Sequence, residues 1–278
     1  MSEHIRVVRE GAVGVLTIDR PHRFGSLDVE TARDLRRAGL QLARDEAVRA
    51  VVLRGSHGVF CSGADLKYIR EGGDQEDLGY LSPGAREVPG GHGAVFKQIL
   101  EYLHATISEI RRSPKPWIAA VDGAAAAGGL GLAIACDLVV ASARSTFEYA
   151  YFKTALPGAE SSTWFLPKML GLRRALDLAL LNPRLSAEQA RELGLVSRVV
   201  SEAEFEREVG DLARRLSVGP TAAYAEAKRL MNEATGGELM DRHLDRELEA
   251  LVRLADGPDV REGIEAFFEK RPATFEGR

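Results

Sequence analysis

The chain has 278 residues, enough for one main body with an appended helical part, and its 45% hydrophobic and 28% charged content is typical of a soluble globular protein. A net charge of -4 without a basic tract gives no support for nucleic-acid binding. The uncharged apolar stretch over residues 123–136 is shorter than the roughly 20 residues of a membrane-spanning helix, so no membrane partner is expected.

The first half of the chain alternates strand and helix patterns. Residues 4–20 predict two alternating strands around Glu10 and Gly11. An amphipathic helix is predicted over residues 28–43, and a strand follows over residues 50–54. This order favours an α/β body.

A long irregular segment over residues 71–94 interrupts that alternation. It is rich in glycine, proline and charged residues, and it is too long for a plain connector. A second amphipathic helix is predicted over residues 95–112. After residue 186 the pattern becomes almost entirely helical.

The segment KPWIAAVDGAAAAGGLGLAIACDLVVAS, at residues 115–142, contains a small-residue break between two apolar runs. Trp117–Val121 predicts a buried strand and residues 130–136 a buried helix, so glycines open the helix and leave unpaired N–H groups at its positive end. Neither GxxxxGK[ST] nor GxGxxG is present, which removes the main support for a nucleotide-phosphate loop. Two interpretations stay open. One is an oxyanion site, where each fixed donor contributes about 3 kcal/mol, and the other is close packing of helix on sheet.

A second glycine-containing turn over residues 59–67 also leads into a predicted helix. Two such turns can supply two N–H donors to one oxygen. At this point the chain resembles the crotonase, or enoyl-CoA hydratase/isomerase, superfamily. The matching pieces follow the family order: Pro21 with Leu27, FCSGADLK at 60–67, the segment at 115–142, FLPKMLG at 165–171, LSAEQARELGLVSRVV at 185–200 and EGIEAFFEKRPATFEGR at 262–278.

The resemblance implies an α/β fold with a crotonase-type ββα spiral body over residues 1–200 and a C-terminal α-helical region over residues 201–278. It places the oxyanion donors, which hold a CoA thioester oxygen, on the backbone N–H groups of Ala64 and Gly128. In relatives the helical region packs on neighbouring subunits, so a homotrimer or a dimer of trimers is expected. The alternative is that these helices cover only their own body.

The two glutamates of the family's hydratases fall on Gly131 and Tyr151, and neither position supplies a carboxylate. Because water activation by that route needs an acid and a base, an ordinary hydratase is not expected. Many family isomerases carry one acid in a later turn, at the position of Ala159 here. Glu160, one residue on, is therefore the leading catalytic carboxylate, and the alternative is a solvated turn or helix-capping glutamate.

Three further residues near this site have weaker assignments. Asp65 follows the donor Ala64 and is expected to be structural. Glu148 is a second candidate carboxylate, because strand alternation decides which way it faces. Tyr151 is expected to shape the pocket rather than transfer protons, since a tyrosine pKa near 10 is poorly matched to neutral pH.

The expected reaction is proton transfer between carbons of an enoyl-CoA, through a thioester enolate held by two N–H donors. Other reactions of the fold remain open: atypical hydration, thioester hydrolysis, decarboxylation, carbon–carbon cleavage and aromatic dehalogenation. A non-catalytic acyl-CoA-binding subunit is a further alternative. That alternative gains support if Glu160 points away from the oxyanion donors.

CoA itself is expected to bind as part of the substrate, with no tightly bound cofactor and no metal. By the resemblance, its contacts come from Arg23, from the first donor turn and from the tail, that is, Ser62, Ala64, Asp65, Leu66, Lys67, Phe267 and Lys270. His92, in the irregular segment that lines the acyl pocket in relatives, is expected to be exposed. The two cysteines, Cys61 and Cys136, are expected to be buried and unpaired, and together with an N-terminus lacking a signal segment they favour the cytoplasm.

Overall fold

The computed structural model describes residues 3–74 and 91–277, and within these ranges the chain forms two sheets surrounded by helices. In the larger sheet the strand order is β1, β2, β3, β4, β6, β9, with β1 and β2 antiparallel and the later neighbours parallel. The smaller sheet joins β5, β7 and β8. The strands are β1 (Ile5–Glu10), β2 (Val13–Ile18), β3 (Ala50–Gly55), β4 (Trp117–Val121), β5 (Ala124–Ala126), β6 (Leu138–Ser142), β7 (Thr146–Glu148), β8 (Leu185–Ser186) and β9 (Arg198–Val200).

Helices connect the parallel strands and continue to the C-terminus. They are α1 (Val29–Arg44), α2 (Leu66–Arg70), α3 (His92–Arg112), α4 (Gly128–Ala135), α5 (Ser162–Leu170), α6 (Leu172–Leu181), α7 (Ala187–Glu192), α8 (Phe205–Ser217), α9 (Thr221–Ala234), α10 (Met240–Ala255) and α11 (Pro258–Glu269). Short 3₁₀ helices occur at Pro21–Arg23, Tyr151–Thr154 and Gly237–Leu239. This mixed α/β architecture confirms the predicted fold class.

The predicted element bounds agree closely with the structure where local signals are strong. Helix α1 begins at Val29 because Asp28 caps it, its side chain accepting the N–H of Thr31 at 2.9 Å. Strand β4 is an unbroken apolar run because both of its faces are buried. Helix α3 begins at His92, three residues before the predicted start, so the irregular segment is shorter than predicted at that end. The rest of that segment, residues 75–90, lies outside the described residues.

The two faces of the larger sheet are covered by different parts of the chain. Helices α1 and α3 pack with the main core on one face. On the other face, Phe205, Val209 and Leu212 of α8 pack against strand residues such as Val52 and Ile118. Burial of each such side chain contributes about 1.5–3 kcal/mol. Helix α8 therefore covers the second face of the body's own sheet. The division of the chain at residue 200 stays a prediction.

The connections at one edge of the larger sheet position the candidate site. Strands β3 and β4 are parallel neighbours, so their carboxyl ends lie side by side. Residues 59–65 follow β3, and β5 with α4 follows β4. Ligands of open α/β sheets bind in the crevice beyond such carboxyl ends. Among the helices of the described ranges, none combines the length and apolar character that a membrane crossing requires.

Candidate active site

Two backbone segments run in contact beyond the ends of β3 and β4. Cys61 pairs with Ala125 in a parallel bridge, and the N–H of Ala126 donates to the carbonyl of Cys61 at 3.0 Å. A Cβ placed on Gly129 would lie 1.9 Å from that same carbonyl oxygen, which no real contact allows. Glycine at 129 is therefore required for the two segments to meet.

A second glycine brings the two donor positions together. Gly63 has a left-handed φ of 89°, and a Cβ placed on it would lie 2.9 Å from the backbone nitrogen of Gly128. Ala64 follows Gly63 directly, and Gly128 is the first residue of α4. Within residues 3–74 and 91–277, neither the Ala64 N–H nor the Gly128 N–H donates to a protein acceptor. Two unpaired donors therefore lie close together, one of them at the positive end of a helix.

A third segment fixes the position of Ala64. Leu27 pairs with it in a parallel bridge: the Leu27 N–H donates to the Gly63 carbonyl at 2.8 Å, and the Asp65 N–H donates to the Leu27 carbonyl at 2.9 Å. The Ala64 N–H points away from this bridge. The donor is thus held by backbone bonds on both sides of it, as a preorganised site requires.

Glu160 lies in a strained turn next to α4. Its φ is 46° and that of Ser161 is 66°, so two consecutive residues with side chains adopt the left-handed conformation. The Glu160 side chain is 2% exposed. The alternative of a solvated turn glutamate is therefore wrong, and the N-cap of α5 is Ser161 rather than Glu160.

The Glu160 carboxyl group packs against the start of α4. A Cβ placed on Gly128 would lie 2.8 Å from Glu160 Oε1, so the carboxyl group occupies that side of the glycine. A Cβ on Gly131, one helical turn later, would lie 2.1 Å from the Glu160 carbonyl oxygen. The absence of side chains at Gly128 and Gly131 thus makes the space in which Glu160 lies.

Tyr151 holds the same carboxyl group from the other side. Its ring is buried, and its hydroxyl forms a short hydrogen bond with Glu160 Oε2 and lies 3.0 Å from the carbonyl oxygen of Ala159. A phenol has one proton, so Tyr151 donates to Glu160 when that carboxylate is ionised. When Glu160 is protonated, it donates to the phenol oxygen and Tyr151 donates to Ala159. Both protonation states of Glu160 are therefore accommodated.

The surroundings shift the proton affinity of both groups. Burial, opposed by the Tyr151 hydrogen bond and assisted by the charge of Glu247, raises the pKa of Glu160 to about 8. Burial and the nearby Glu160 raise the pKa of Tyr151 well above its usual value. Tyr151 thus stays neutral near pH 7. Its expected role in shaping the pocket stays a prediction.

A cavity of about 460 Å³ opens onto these groups. Its lining includes Ala64, Glu160 and Tyr151, together with the apolar side chains of Phe96 and Leu251. Basic side chains, which commonly bind phosphate groups, also line the cavity. They are His22, Arg23, Lys67, Lys153 and Arg184.

Comparison with known proteins identifies the family of the chain. The family model for enoyl-CoA hydratase/isomerase matches residues 8–278. The chain belongs to the enoyl-CoA hydratase/isomerase family. A protein from Rhodobacter capsulatus named a probable enoyl-CoA hydratase is 36% identical, with both chains covered completely. A 1,2-epoxyphenylacetyl-CoA isomerase of Escherichia coli is 33% identical, again over the whole of both chains.

A solved structure of the family also superposes on this one. The enoyl-CoA hydratase of Mycobacterium avium subsp. paratuberculosis has a TM-score of 0.84 at 30% identity, with 98% of each chain covered. The resemblance to the crotonase superfamily is thereby confirmed. Because the relatives carry the names of different reactions, membership of the family does not choose among those reactions.

Three acidic side chains line the cavity in the described part of the chain, and their partners differ. Asp65 is paired with Arg20 and Arg23. Glu148 is paired with Lys153, and with Arg184 at 3.3 Å. Glu160 alone of the three has no basic partner there.

Asp65 has a structural role at the edge of the cavity. Its carboxylate accepts the N–H groups of Lys67 and Tyr68, both at 3.1 Å, and so caps α2. Burial raises its pKa, but the hydrogen bonds from Arg23 and from the Tyr68 N–H outweigh burial and hold the pKa below its usual value. Asp65 therefore stays ionised and bound, as the sequence predicted for it.

Most residues predicted to bind CoA line this cavity. Arg23, Ser62, Ala64, Asp65, Leu66, Lys67 and Phe267 do so. Lys270 does not line it, and it ends α11 in a left-handed conformation. Phe267 is 55% exposed, so its ring lies at the surface rather than in the core. The binding of CoA to these residues stays a prediction.

Two other sequence expectations concern residues away from the wall. His92 is half-buried at the start of α3 and does not line the cavity, so the expected exposed histidine is only partly exposed. Cys61 and Cys136 are buried and free, as predicted, and burial raises the pKa of Cys61 to about 12. In the ranges described, no group of three or more histidine, cysteine or carboxylate side chains is placed to hold a metal ion.

The sequence interpretation missed one buried acid behind the site. Glu247 on α10 is 4% exposed and accepts the Ser161 N–H at 2.9 Å. The signal was present: the buried residues of α10 are Met240, Leu244, Glu247, Leu251 and Ala255, so a charged residue stands in an apolar helical stripe.

Proposed function

We propose that the protein moves a proton between two carbons of an enoyl-CoA thioester, as an enoyl-CoA isomerase does. One observation carries the proposal. Glu160 is a buried carboxyl group without a basic partner in the described ranges, and it packs against the glycine that presents an unpaired N–H. A buried carboxyl group that lines the cavity and packs against that glycine also argues against a binding subunit without acid–base chemistry.

The N–H groups of Ala64 and Gly128 would hold the thioester oxygen. When a proton leaves the adjacent carbon, C2, negative charge moves to that oxygen and the two hydrogen bonds strengthen. Donors fixed before the reaction contribute about 2.7–4 kcal/mol each when charge develops on the oxygen they contact. In this scheme the two N–H donors stabilise the enolate, and the scheme does not require a metal ion.

Glu160 would act as the single base and then as the acid. Its ionised form takes a proton from C2 of a 3-enoyl thioester, the C2–H electrons form a C1–C2 double bond, and the carbonyl electrons move to the thioester oxygen. The protonated Glu160 then gives the same proton to C4: the C3–C4 double-bond electrons form the C4–H bond, the C1–C2 electrons form the C2–C3 double bond, and the thioester carbonyl is restored, which yields the conjugated 2-enoyl thioester. A pKa of about 8 suits both steps near neutral pH, since neither protonation state is rare.

Hydration has less support from the same site. A hydratase uses a second carboxyl group, and the two family positions hold Gly131 and Tyr151. Any side chain at 131 would meet the Glu160 backbone, because an added Cβ lies 2.1 Å from its carbonyl oxygen. The space of one hydratase acid is thus filled by the turn that carries Glu160.

The CoA part of the substrate would follow the basic side of the cavity. Arg23 and Lys67 lie near the Ala64 donor and can face phosphate groups, while Phe267 offers an exposed ring. On this proposal CoA enters and leaves with the acyl group, and no tightly bound cofactor takes part.

Assembly into a homotrimer or a dimer of trimers is proposed as well. No residue of α9 is buried, and Leu230 and Met231 on it are 54% and 70% exposed. Such side chains gain free energy when a second subunit covers them. Light scattering that shows only monomer at micromolar concentration would contradict this assembly.

The test of function compares Glu160→Gln with Glu148→Gln on 3-enoyl-CoA and 2-enoyl-CoA substrates. Absorbance of the conjugated thioester reports turnover in either direction. We expect the wild type to convert the 3-enoyl thioester and Glu160→Gln to lose about 10²–10⁴-fold in kcat, the usual contribution of one acid–base group. Glu148→Gln is the matched control, since it changes a cavity carboxylate that already has basic partners.

Two results would contradict the proposal. The first is unchanged turnover by Glu160→Gln. The second is tight CoA-thioester binding by the wild type without turnover in either direction, which would favour a non-catalytic acyl-CoA-binding protein.

A further inference from the structure

The strained turn at Glu160 needs an explanation beyond the site itself. Glu160 and Ser161 both carry side chains, and both adopt left-handed backbone conformations. Such conformations are unfavourable for residues other than glycine, and they persist only where surrounding contacts hold them. The contacts that hold this turn therefore decide where the Glu160 carboxyl group points.

Glu247 supplies those contacts from α10, more than 80 residues later in the chain. One carboxylate oxygen accepts the Ser161 N–H at 2.9 Å, and the other accepts the Thr163 N–H at 3.1 Å and, through a short hydrogen bond, the Thr163 hydroxyl. These N–H groups belong to the turn and to the first residues of α5, where no backbone acceptor precedes them. A single buried carboxylate thus closes the turn and caps the helix after it.

Within residues 3–74 and 91–277, Glu247 has no lysine or arginine as an ion-pair partner. His104 Nε2 lies 3.5 Å from one of its oxygens and His243 Nε2 lies 3.7 Å from the other. Burial lowers the pKa of His104 to about 4, and burial also lowers the pKa of His243, so both rings are neutral near pH 7. Glu247 is therefore held by hydrogen bonds rather than by an ion pair.

We propose that Glu247 is a positioning residue, which clamps the Glu160–Ser161 turn and so directs the Glu160 carboxyl group at the reacting carbons. This inference rests on the function proposed above. Glu247 does not line the cavity, so it is not placed to contact a substrate there. It acts through Ser161 and Thr163, the residues that follow Glu160.

Glu247 has a second, electrostatic effect on the same group. Its charge raises the pKa of Glu160, after burial and in opposition to the Tyr151 hydrogen bond. Removing the charge should lower the pKa of Glu160. The other titratable groups near the pair are Tyr149, Tyr151, Cys61, His104 and His243, with Lys168 and Arg246 acting on His243.

Glu247→Gln tests both effects while keeping the side-chain volume. The amide oxygen can replace one carboxylate oxygen, but the amide N–H groups then face a buried donor of Ser161 or Thr163. We expect kcat to fall about tenfold or more with KM changed less than about threefold, because small displacements of a reacting group slow the chemical step. Asp241→Asn is the matched control: Asp241 lies on the same helix, is half-buried, and binds Ser108 and Arg112 away from the cavity.

A second measurement does not depend on turnover. In protein labelled with ¹³C at the glutamate carboxyl carbons, the Glu160 signal, assigned by its loss in Glu160→Gln, is titrated against pH. We expect its midpoint to be lower in Glu247→Gln than in the wild type and unchanged in Asp241→Asn. If Glu247→Gln does not fold, Thr163→Val removes only the hydroxyl donor and should lower kcat by a smaller factor.

The outcomes separate this inference from the proposed function. Folded Glu247→Gln with wild-type kcat and an unshifted Glu160 midpoint would overturn the positioning role and leave the isomerase proposal intact. A wild-type enzyme that does not isomerise enoyl-CoA would overturn the proposed function, and the ¹³C titration would still test whether Glu247 controls Glu160. A fall in kcat equal to that of Asp241→Asn, without a shifted midpoint, would also contradict the inference.

Discussion

Replacing Gly131 with alanine should displace the catalytic turn although it adds only one methyl group. The new Cβ would lie 2.1 Å from the Glu160 carbonyl oxygen and 2.9 Å from the Glu160 Cβ. Ordinary contacts begin near 3.4 Å, so the turn must move by about 1 Å or more. Overpacking of this kind costs about 3 kcal/mol at the upper end of its usual range, and alanine recovers about 1 kcal/mol of helix propensity.

The net loss is therefore about 2 kcal/mol of unfolding free energy, or a fall in Tm of roughly 4–8 °C for a domain of this size. Because Glu160 moves with the turn, kcat should fall about 10²-fold. Thermal unfolding and the 3-enoyl-CoA assay measure the two effects. The matched control is Gly39→Ala, since Gly39 is also buried within a helix but an added Cβ there has its nearest neighbours at 3.7 and 3.8 Å.

Gly39→Ala should be neutral or stabilising by up to about 1 kcal/mol, with activity retained. If Gly131→Ala behaves like Gly39→Ala in both stability and turnover, the contact between α4 and the Glu160 turn does not limit the site. The packing explanation for glycine at 131 would then be refuted.

The remaining predictions concern pH and polar contacts. Turnover should rise with pH through about 8, because Glu160 must be ionised to remove the first proton; a pH-independent kcat/KM between 6 and 9 would contradict this. Because the folded-state pKa of Glu160 is raised, its contribution to stability is fully present below about pH 4.5 and is lost as pH rises through about 8. The Tm of the wild type should therefore fall relative to the Tm of Glu160→Gln as pH is raised from 5 to 9. Tyr151→Phe removes a charge-assisted hydrogen bond of about 1.5–3 kcal/mol, so the acidic limb of the pH–rate profile should shift to higher pH by about one to two pH units. An acidic limb that stays at the same pH or shifts to lower pH would refute this prediction. Asp65→Asn breaks a buried ion pair with Arg20 and Arg23 and should lower the urea-unfolding free energy by about 3 kcal/mol, whereas Glu71→Gln, in an exposed pair with Lys67, should change it by less than about 0.5 kcal/mol.

The sequence predicted the parts of the site that depend on local chain geometry. The glycines of residues 115–142 mark a backbone approach because only glycine permits it, and the structure shows Gly129 against Cys61 at that place. Asp65 was expected to be structural from the family resemblance, and the structure shows it capping α2 through short-range hydrogen bonds. The family resemblance then placed Ala64 and Gly128, whose N–H groups are unpaired in the described ranges.

The orientation of the Glu160 side chain could not be predicted from the sequence. Its turn combines two left-handed residues with side chains, which no local preference indicates. The turn depends on long-range contacts with Gly131 and with Glu247, and a propensity argument does not reach across such separations. Glu148 likewise stayed a candidate catalytic carboxylate in the sequence, since its partner Arg184 lies 36 residues later in the chain.

Transfer of deuterium within the substrate tests the central claim most directly. The substrate is 3-enoyl-CoA with deuterium at C2, converted under single-turnover conditions in ordinary water, and mass spectrometry then measures the deuterium at C4 of the product. If Glu160 alone carries the proton in a closed pocket, a substantial share of the product should hold deuterium at C4, and Glu160→Gln should form almost no product. Rapid conversion by the wild type with no deuterium at C4, together with unchanged turnover by Glu160→Gln, would contradict the account.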